Sequence, residues 1–214
     1  MPKSSSAKST GLSRRVHFTD DEQRLTWLSA LLDCYAIADT GVAIAIRDIE
    51  KKQKKKLACR AGCDVCCLQP DIPFYPHELQ GLAWYVAEKL DAATREQVVR
   101  QCSEHAKGSA CPFLADHGCA VHAVRPVACR QYNVFTAPCA QGEDPYYSRR
   151  QDVLVPISDY TDRAFAAVRA FYGLEKEKDL EKAVRQIKAK IMNLQEYDWK
   201  GLARLLTGTG NTGK

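Results

Sequence analysis

Residues 59–67 read Cys59-Arg-Ala-Gly-Cys63-Asp-Val-Cys66-Cys67, so four thiols lie within nine residues. Sulfur atoms that are this close in sequence can converge on one ion without help from distant parts of the chain. Gly62 permits the tight backbone turn that such convergence requires. We therefore expect this stretch to form an irregular loop on which the rest of the fold is organised.

A second group of thiols follows in residues 111–129, a segment rich in Pro, Gly and His. Pro112 and Pro126 restrict the backbone beside two of these sulfurs, and Gly118 frees it before the third. The predicted metal ligands are the seven clustered cysteines of both groups: Cys59, Cys63, Cys66, Cys67, Cys111, Cys119 and Cys129.

Cysteines can also be inert, because an unligated thiol behaves as a small hydrophobic side chain. We interpret Cys34 and Cys102 in this way, since each lies on the apolar face of a predicted helix. The seven clustered thiols differ, because in such loops they would be prone to oxidation without a ligand. Cys139 is intermediate between these inert cysteines and the clustered thiols, and the predicted ligand set does not include it.

The sequence around both cysteine groups has helical periodicity. Thr94 with Gln97 has the spacing of a capping box that begins a helix, and Pro76 suits a first helical position. Asp39-Thr40-Gly41 is expected to interrupt the first long helical pattern. The predicted fold is mainly α, a single helical domain around an irregular, loop-rich cysteine centre.

The chain is predicted to divide into a disordered tail at residues 1–16, one globular domain at 17–206 and a flexible tail at 207–214. The metal-binding cysteine core is placed at residues 57–135. With 214 residues and 45% hydrophobic content, the chain can bury an ordinary core, so a metal is not needed merely to make it fold.

The net charge of +5 comes from the two tails, which leaves the remainder near neutral. The lysine run at residues 51–56 has no interleaved aromatic residues, and we interpret it as a solvated helix end rather than a phosphate-binding patch. Nucleic acid is therefore not an expected partner.

No stretch of sequence approaches the roughly 18 apolar residues of a membrane span, and residues 1–15 lack the apolar segment of a secretory signal. The prediction is a cytoplasmic protein without a membrane association. The cytosol keeps thiols reduced, which leaves them free to bind metal.

The whole series of cysteines resembles the CxxCxxCC cysteine-cluster family of zinc- or iron-chelating proteins. The resemblance covers about residues 57–135 and rests on the two groups, including Cys111-Pro112-Phe113-Leu114 and Arg125-Pro126-x2-Cys129-Arg130. It implies metal chelation through the seven cysteines, with an iron-sulfur cluster or Zn²⁺ as the bound group. It does not imply a particular reaction.

Seven sulfurs exceed the four that one tetrahedral zinc needs, which favours an iron-sulfur cluster and a redox or modification-related role. The alternative is a zinc-binding structural or interaction module, without catalysis, that docks an unknown partner protein. A flagellin lysine N-methylase associated with an iron-sulfur cluster has a similar cysteine region, but this chain lacks a glycine-rich signature for S-adenosylmethionine. A thiol oxidoreductase using Cys63 and Cys66 is a weaker third hypothesis, because the thioredoxin-like context is missing.

Other side chains could assist a thiolate-bound metal, whose net charge is near minus two. Three neighbouring arginines could offset this charge or form surface ion pairs: Arg60, Arg125 and Arg130. His117 and His122 are candidate zinc ligands or loop histidines.

Two further residues have a structural and a chemical interpretation. Glu78 is expected at the positive end of a helix, with an acid or base role as the alternative. Tyr132 is interpreted as a core residue rather than a redox relay.

Overall fold

The longest element of the fold is a helix of 26 residues that precedes the first cysteine group. The computed structural model describes residues 15–116 and 118–208, and it is mainly helical, as predicted. The predicted tails at 1–16 and 207–214 lie for most of their length outside the described residues.

The α-helices and short strands are numbered here in chain order. The helices of the described residues are α1 (Thr19–Arg24), α2 (Leu28–Gln53), α3 (Pro76–Glu88), α4 (Ala92–Glu104), α5 (Val127–Gln131), α6 (Pro145–Ser148), α7 (Ser158–Ala167), α8 (Leu180–Lys188) and α9 (Trp199–Gly208). The strands are β1 (Pro73–Phe74), β2 (Leu114–Ala115), β3 (Gly118–Cys119) and β4 (Met192–Asn193), paired antiparallel as β1 with β4 and β2 with β3. Single 3₁₀ turns lie at Val65–Leu68, His122–Val124, Arg150–Asp152, Arg169–Tyr172 and Leu194–Glu196.

Helix α2 is continuous through Gly41, so the predicted interruption at residues 39–41 is wrong. The reason lies in the packing of α2 against α7. A Cβ atom built on Gly41 would lie 2.5 Å from the Cβ atom of Tyr160. Gly41 therefore serves a close approach of two helices and does not end one.

Replacing Gly41 with alanine is expected to lower the free energy of unfolding by about 1–3 kcal/mol, because the added methyl group must push α7 away. The matched control is Gly208→Ala near the end of α9, where an added Cβ meets nothing within 4 Å. Urea unfolding of both variants measures the effect. Equal stability of the two variants would contradict the packing argument.

By length and composition alone, helix α2 could also cross a membrane. This finding differs from the prediction that no stretch of the sequence is apolar enough for a membrane span. Only 39% of its most apolar window is buried inside the structure. Leu28, Leu31 and Leu32 are nevertheless almost fully buried, and the helix packs against α3, α5 and α7. The core helix of a globular protein has the same properties.

The pair of helices between the two cysteine groups is where the sequence predicts it, with one change at a cap. Pro76 occupies the first turn of α3, as predicted. The cap of α4 is Asp91, whose carboxylate accepts a hydrogen bond from the Thr94 amide at 3.0 Å, so Thr94 lies inside the helix. Helix α4 packs against α9 and thereby closes one side of the core.

The lysine run lies at and beyond the carboxyl end of α2. Lys51 and Lys52 are exposed in the last turn of this helix, where positive charge meets the free carbonyl groups favourably. Lys55 forms an ion pair with Asp152 at 2.9 Å. This placement matches the interpretation as a solvated helix end.

Candidate metal centre

The first cysteine segment is fixed at its start by backbone pairing with the chain that follows α5. The amide of Ala58 donates to the Val134 carbonyl at 2.8 Å, and the amide of Thr136 donates to the Lys56 carbonyl at 2.8 Å. Between them, the amide of Val134 donates to the sulfur of Cys59 at 3.3 Å. Cys59 is therefore held against residues that follow the second cysteine group.

The end of the first segment is fixed to the start of the second. The amide of Cys111 donates to the Cys67 carbonyl at 2.8 Å, and the Cys111 thiol lies near enough to raise the pKa of the Cys67 thiol. Phe113 anchors this part of the chain, because its ring is 1% exposed and packs edge-on against Trp199. The two cysteine groups, distant in sequence, are thus joined at both ends.

The sulfurs between these two connections lie close enough to affect one another's ionisation. The Cys67 thiol raises the pKa of Cys66, and charge on Cys119 also acts on Cys67. Cys129 is acted on by charges on Cys66, Cys119 and Cys67. The structure therefore brings members of both predicted ligand groups into one cluster.

The remaining thiols form the other side of this cluster. Charges on Cys63 and Cys66 act on Cys59, so Cys66 connects the two sides. Cys139, which was left outside the predicted ligand set, is acted on by Cys59 and Cys63. The signal available in the sequence was its position in the same Pro- and Gly-rich region. We call the eight thiols the cysteine cluster: Cys59, Cys63, Cys66, Cys67, Cys111, Cys119, Cys129 and Cys139.

Several thiols of the cluster hold their protons tightly in the absence of a ligand. The interaction with Cys111, toward which the protonated Cys67 thiol donates, is the largest cause that raises the pKa of Cys67, to about 12. The hydrogen bond with Cys67 and then burial raise the pKa of Cys66 far above its usual range. Burial raises the pKa of Cys59, Cys119 and Cys129 as well. Because a metal binds thiolates, loading this cluster must release protons.

The donor set fits zinc or iron, both of which accept thiolate ligands. Within residues 15–116 and 118–208, no three His, Cys, Asp or Glu side chains are arranged to hold an ion as they stand. The sulfurs must therefore draw closer together when a metal binds. Gly62 and Gly118 leave the backbone free to make that adjustment, whereas Pro112 and Pro126 restrict it.

Helix α5, which carries Cys129, is held in place by the buried carboxylate of Glu78. One carboxylate oxygen accepts from the Val127 amide at 2.6 Å, and the other accepts from the Tyr75 amide at 2.9 Å. Glu78 therefore caps α3 and α5 together. This placement supports the helix-end interpretation, and both oxygens are already used by backbone amides.

The three arginines near the cluster have different environments. Arg60 is exposed. Arg130 is 5% exposed and forms an ion pair with Asp39 at 2.6 Å, and its charge also acts on Cys119. The positive charge of Arg125 acts on three thiols of the cluster: Cys59, Cys66 and Cys119.

The other candidates play smaller parts in the described structure. His117 lies outside the described residues, and His122 is exposed. Tyr132 is half-buried and donates from its hydroxyl to Asp144 at 2.8 Å. Cys34 and Cys102 are fully buried in the main core, as interpreted from the sequence.

Two buried groups on α3 predict an unusual dependence of stability on pH. Burial raises the pKa of Glu78 to about 7, so its contribution to stability is present below pH 4.5 and is lost as pH rises to 7. Burial lowers the pKa of His77 to about 3, so its contribution is present above pH 6.5 and is lost as pH falls toward 3. Between pH 5 and pH 8 the two effects oppose each other.

The Glu78→Gln variant has no titratable group at position 78, so of these two contributions to the pH dependence of stability only that of His77 remains. The free energy of unfolding of this variant is expected to rise by roughly 2 kcal/mol more than that of the wild type between pH 5 and pH 8. Urea unfolding of both metal-free, reduced proteins at the two pH values measures this difference. The same slope in both proteins would contradict a buried Glu78 with a raised pKa.

Residues 58–153 match the family model CxxCxxCC, described as "putative zinc- or iron-chelating domain". The match covers slightly less than half of the chain and contains every thiol of the cysteine cluster. No curated protein and no solved structure gives a significant match to the chain. The matched region is thus similar to a family described as zinc- or iron-chelating, and that description names both metals.

Proposed function

We propose, taking residues 58–153 as a member of the CxxCxxCC family, that the cysteine cluster binds an iron-sulfur cluster with a redox or modification-related role. The observation that carries this proposal is the meeting of the two cysteine groups, in which Cys67 and Cys111 are joined through both backbone and thiols. When bound, the iron-sulfur group would supply one-electron chemistry.

The number of sulfurs supports iron-sulfur over zinc. A structural zinc site is complete with four ligands, whereas eight thiols of this chain, Cys139 among them, are linked by their effects on one another's pKa. His122, the described histidine next to Cys119 in sequence, is exposed and offers no mixed Cys and His set inside the cluster. An all-sulfur donor set is typical of iron-sulfur proteins.

The proposal includes a cytoplasmic location. All ten cysteines are free thiols in the structure, even where two of them are adjacent. A compartment that reduces disulfides would keep them available for metal.

Purification without oxygen tests the proposal. The full chain is expected to be brown and to contain iron and acid-labile sulfide, with a broad visible absorption that air removes. Elemental analysis of the same sample measures iron and zinc together. Stoichiometric zinc in a colourless protein without iron, before and after reconstitution with iron and sulfide, would overturn the iron-sulfur proposal.

A zinc-stabilised interaction module is the second candidate. It is favoured by the way in which Cys59 and Cys67 connect the first segment to residues 134 and 111, since a metal there would hold separate parts of the chain together. In that case, a chelator is expected to unfold the cysteine region, and an unidentified protein would dock on the helices. A chelator that removes zinc without changing the circular dichroism or the thermal unfolding would contradict this candidate.

A further inference from the structure

Arg125 has a buried polar atom that nothing in the described structure satisfies. Its Nε atom is buried, and no hydrogen-bond partner for it is present in residues 15–116 and 118–208. A buried N–H group of a charged side chain costs free energy when it is left unpaired. Such an atom indicates a partner that is absent from the metal-free protein.

The groups near this side chain are sulfurs. Its positive charge acts to lower the pKa of Cys59, Cys66 and Cys119, whereas burial acts to raise the pKa of all three thiols. These three thiols come from both cysteine groups. Arg125 therefore lies where the sulfurs of the two groups meet.

The backbone of Arg125 is held rigidly by a second arginine. The Nε atom of Arg130 donates to the Arg125 carbonyl at 2.8 Å, and a terminal nitrogen of Arg130 donates to the Ala123 carbonyl at 2.7 Å. Arg130 is itself fixed by Asp39 and by stacking over the Tyr35 ring at 4.0 Å. The turn that carries Arg125 is thus set before any metal arrives.

We propose that Arg125 donates its Nε–H to a thiolate sulfur of the loaded metal centre and thereby favours the metal-bound form over the metal-free form. This inference rests on the proposed metal binding. Thiols that lose their protons to a metal become stronger hydrogen-bond acceptors, so the N–H group that is unpaired in the free protein gains a partner. Arg125 acts through the ligands and is a positioning residue.

The affinity for Zn²⁺, measured by competition with a chelator under reducing conditions, tests the proposal. Arg125→Gln is expected to bind Zn²⁺ about 10- to 100-fold more weakly than the wild type, as is usual for a lost partner of metal ligands. Arg60→Gln is the matched control, because it removes the same charge from an exposed position beside Cys59 and is expected to change affinity less than about threefold.

Arg125→Lys separates the hydrogen bond from the charge, since lysine keeps the positive charge and has no Nε–H. It is expected to bind at least about tenfold more weakly than the wild type. Thermal unfolding of the metal-free proteins is a further readout. Without metal, Arg125→Gln is expected to be as stable as the wild type or more stable, because it removes a buried unpaired group.

The proposed hydrogen bond would be contradicted if Arg125→Lys bound Zn²⁺ as tightly as the wild type. It would also be contradicted if Arg125→Gln and Arg60→Gln lost the same amount of Zn²⁺ affinity. A metal-free Arg125→Gln that unfolds much more easily than the wild type would show a purely structural role and overturn it too. A wild-type protein that binds no Zn²⁺ would end this inference. A wild-type protein that holds neither zinc nor iron would end the proposed function as well.

Discussion

Replacing Cys129 with alanine is expected to remove most of the metal bound by the protein. Cys129 lies on α5, is half-buried, and is acted on by the charges of Cys66, Cys67 and Cys119. Loss of this sulfur leaves the other thiols without a ligand from the second group's helix. Metal content per chain after anaerobic reconstitution and desalting measures the effect, and we expect a fall of at least about tenfold.

The control for this variant is Cys102→Ala. Cys102 is fully buried in the core on α4, so the two substitutions remove the same atoms from enclosed positions. Its metal content is expected to equal that of the wild type, although its stability falls. Equal metal content in Cys129→Ala and the wild type would exclude Cys129 from the ligands, and loss of metal in both variants would indicate that any weakening of the core empties the site.

Replacing Arg130 with methionine is expected to destabilise the protein by about 3 kcal/mol even without metal. The substitution removes the ion pair with Asp39 and leaves the Ala123 and Arg125 carbonyls without their partner. It also removes the stacking over Tyr35. Urea unfolding of the metal-free, reduced variant measures the loss.

Arg60→Met is the control, since Arg60 is exposed and its substitution is expected to change stability by less than about 0.5 kcal/mol. A double variant that also carries Asp39→Leu should lose less than the sum of the two single losses, because each single variant leaves one charge unpaired. Additive losses would contradict direct pairing of Arg130 with Asp39.

The helical class and the meeting of thiols could be predicted because both depend on local patterns. Apolar periodicity identifies α3 and α8 wherever they pack, and Pro76 marks the start of α3 by its own backbone geometry. Closely spaced cysteines with Gly62 among them indicate a common ligand without knowledge of the fold. These features require no tertiary neighbour to be interpreted.

The features that were missed depend on distant residues. Gly41 looks like a break in a helix until Tyr160 of α7 is placed against it. Cys139 looks isolated until the backbone pairing of residues 56–59 with 134–136 brings it toward Cys59 and Cys63. Asp91 precedes the expected cap by three positions, and two acceptable caps in one stretch cannot be ranked from sequence spacing alone.

The arginines show the same limit most clearly. Arg130 is adjacent to Cys129 in sequence and Arg125 precedes it by four residues, so both could serve a metal on that basis. Their roles differ because Arg130 is paired with Asp39 on α2, whereas the charge of Arg125 acts on more of the thiols. Only the folded chain distinguishes them.

The bonds that join Cys67 to Cys111 and Cys59 to Val134 also constrain the order of events in biosynthesis. Cys67 leaves the ribosome 44 residues before Cys111, with α3 and α4 between them. A full set of sulfurs therefore exists only after this intervening hairpin has closed and the chain has been translated as far as Cys139. Maturation of the centre is expected to be a late step, and a nascent chain that ends before residue 129 presents an incomplete chelator.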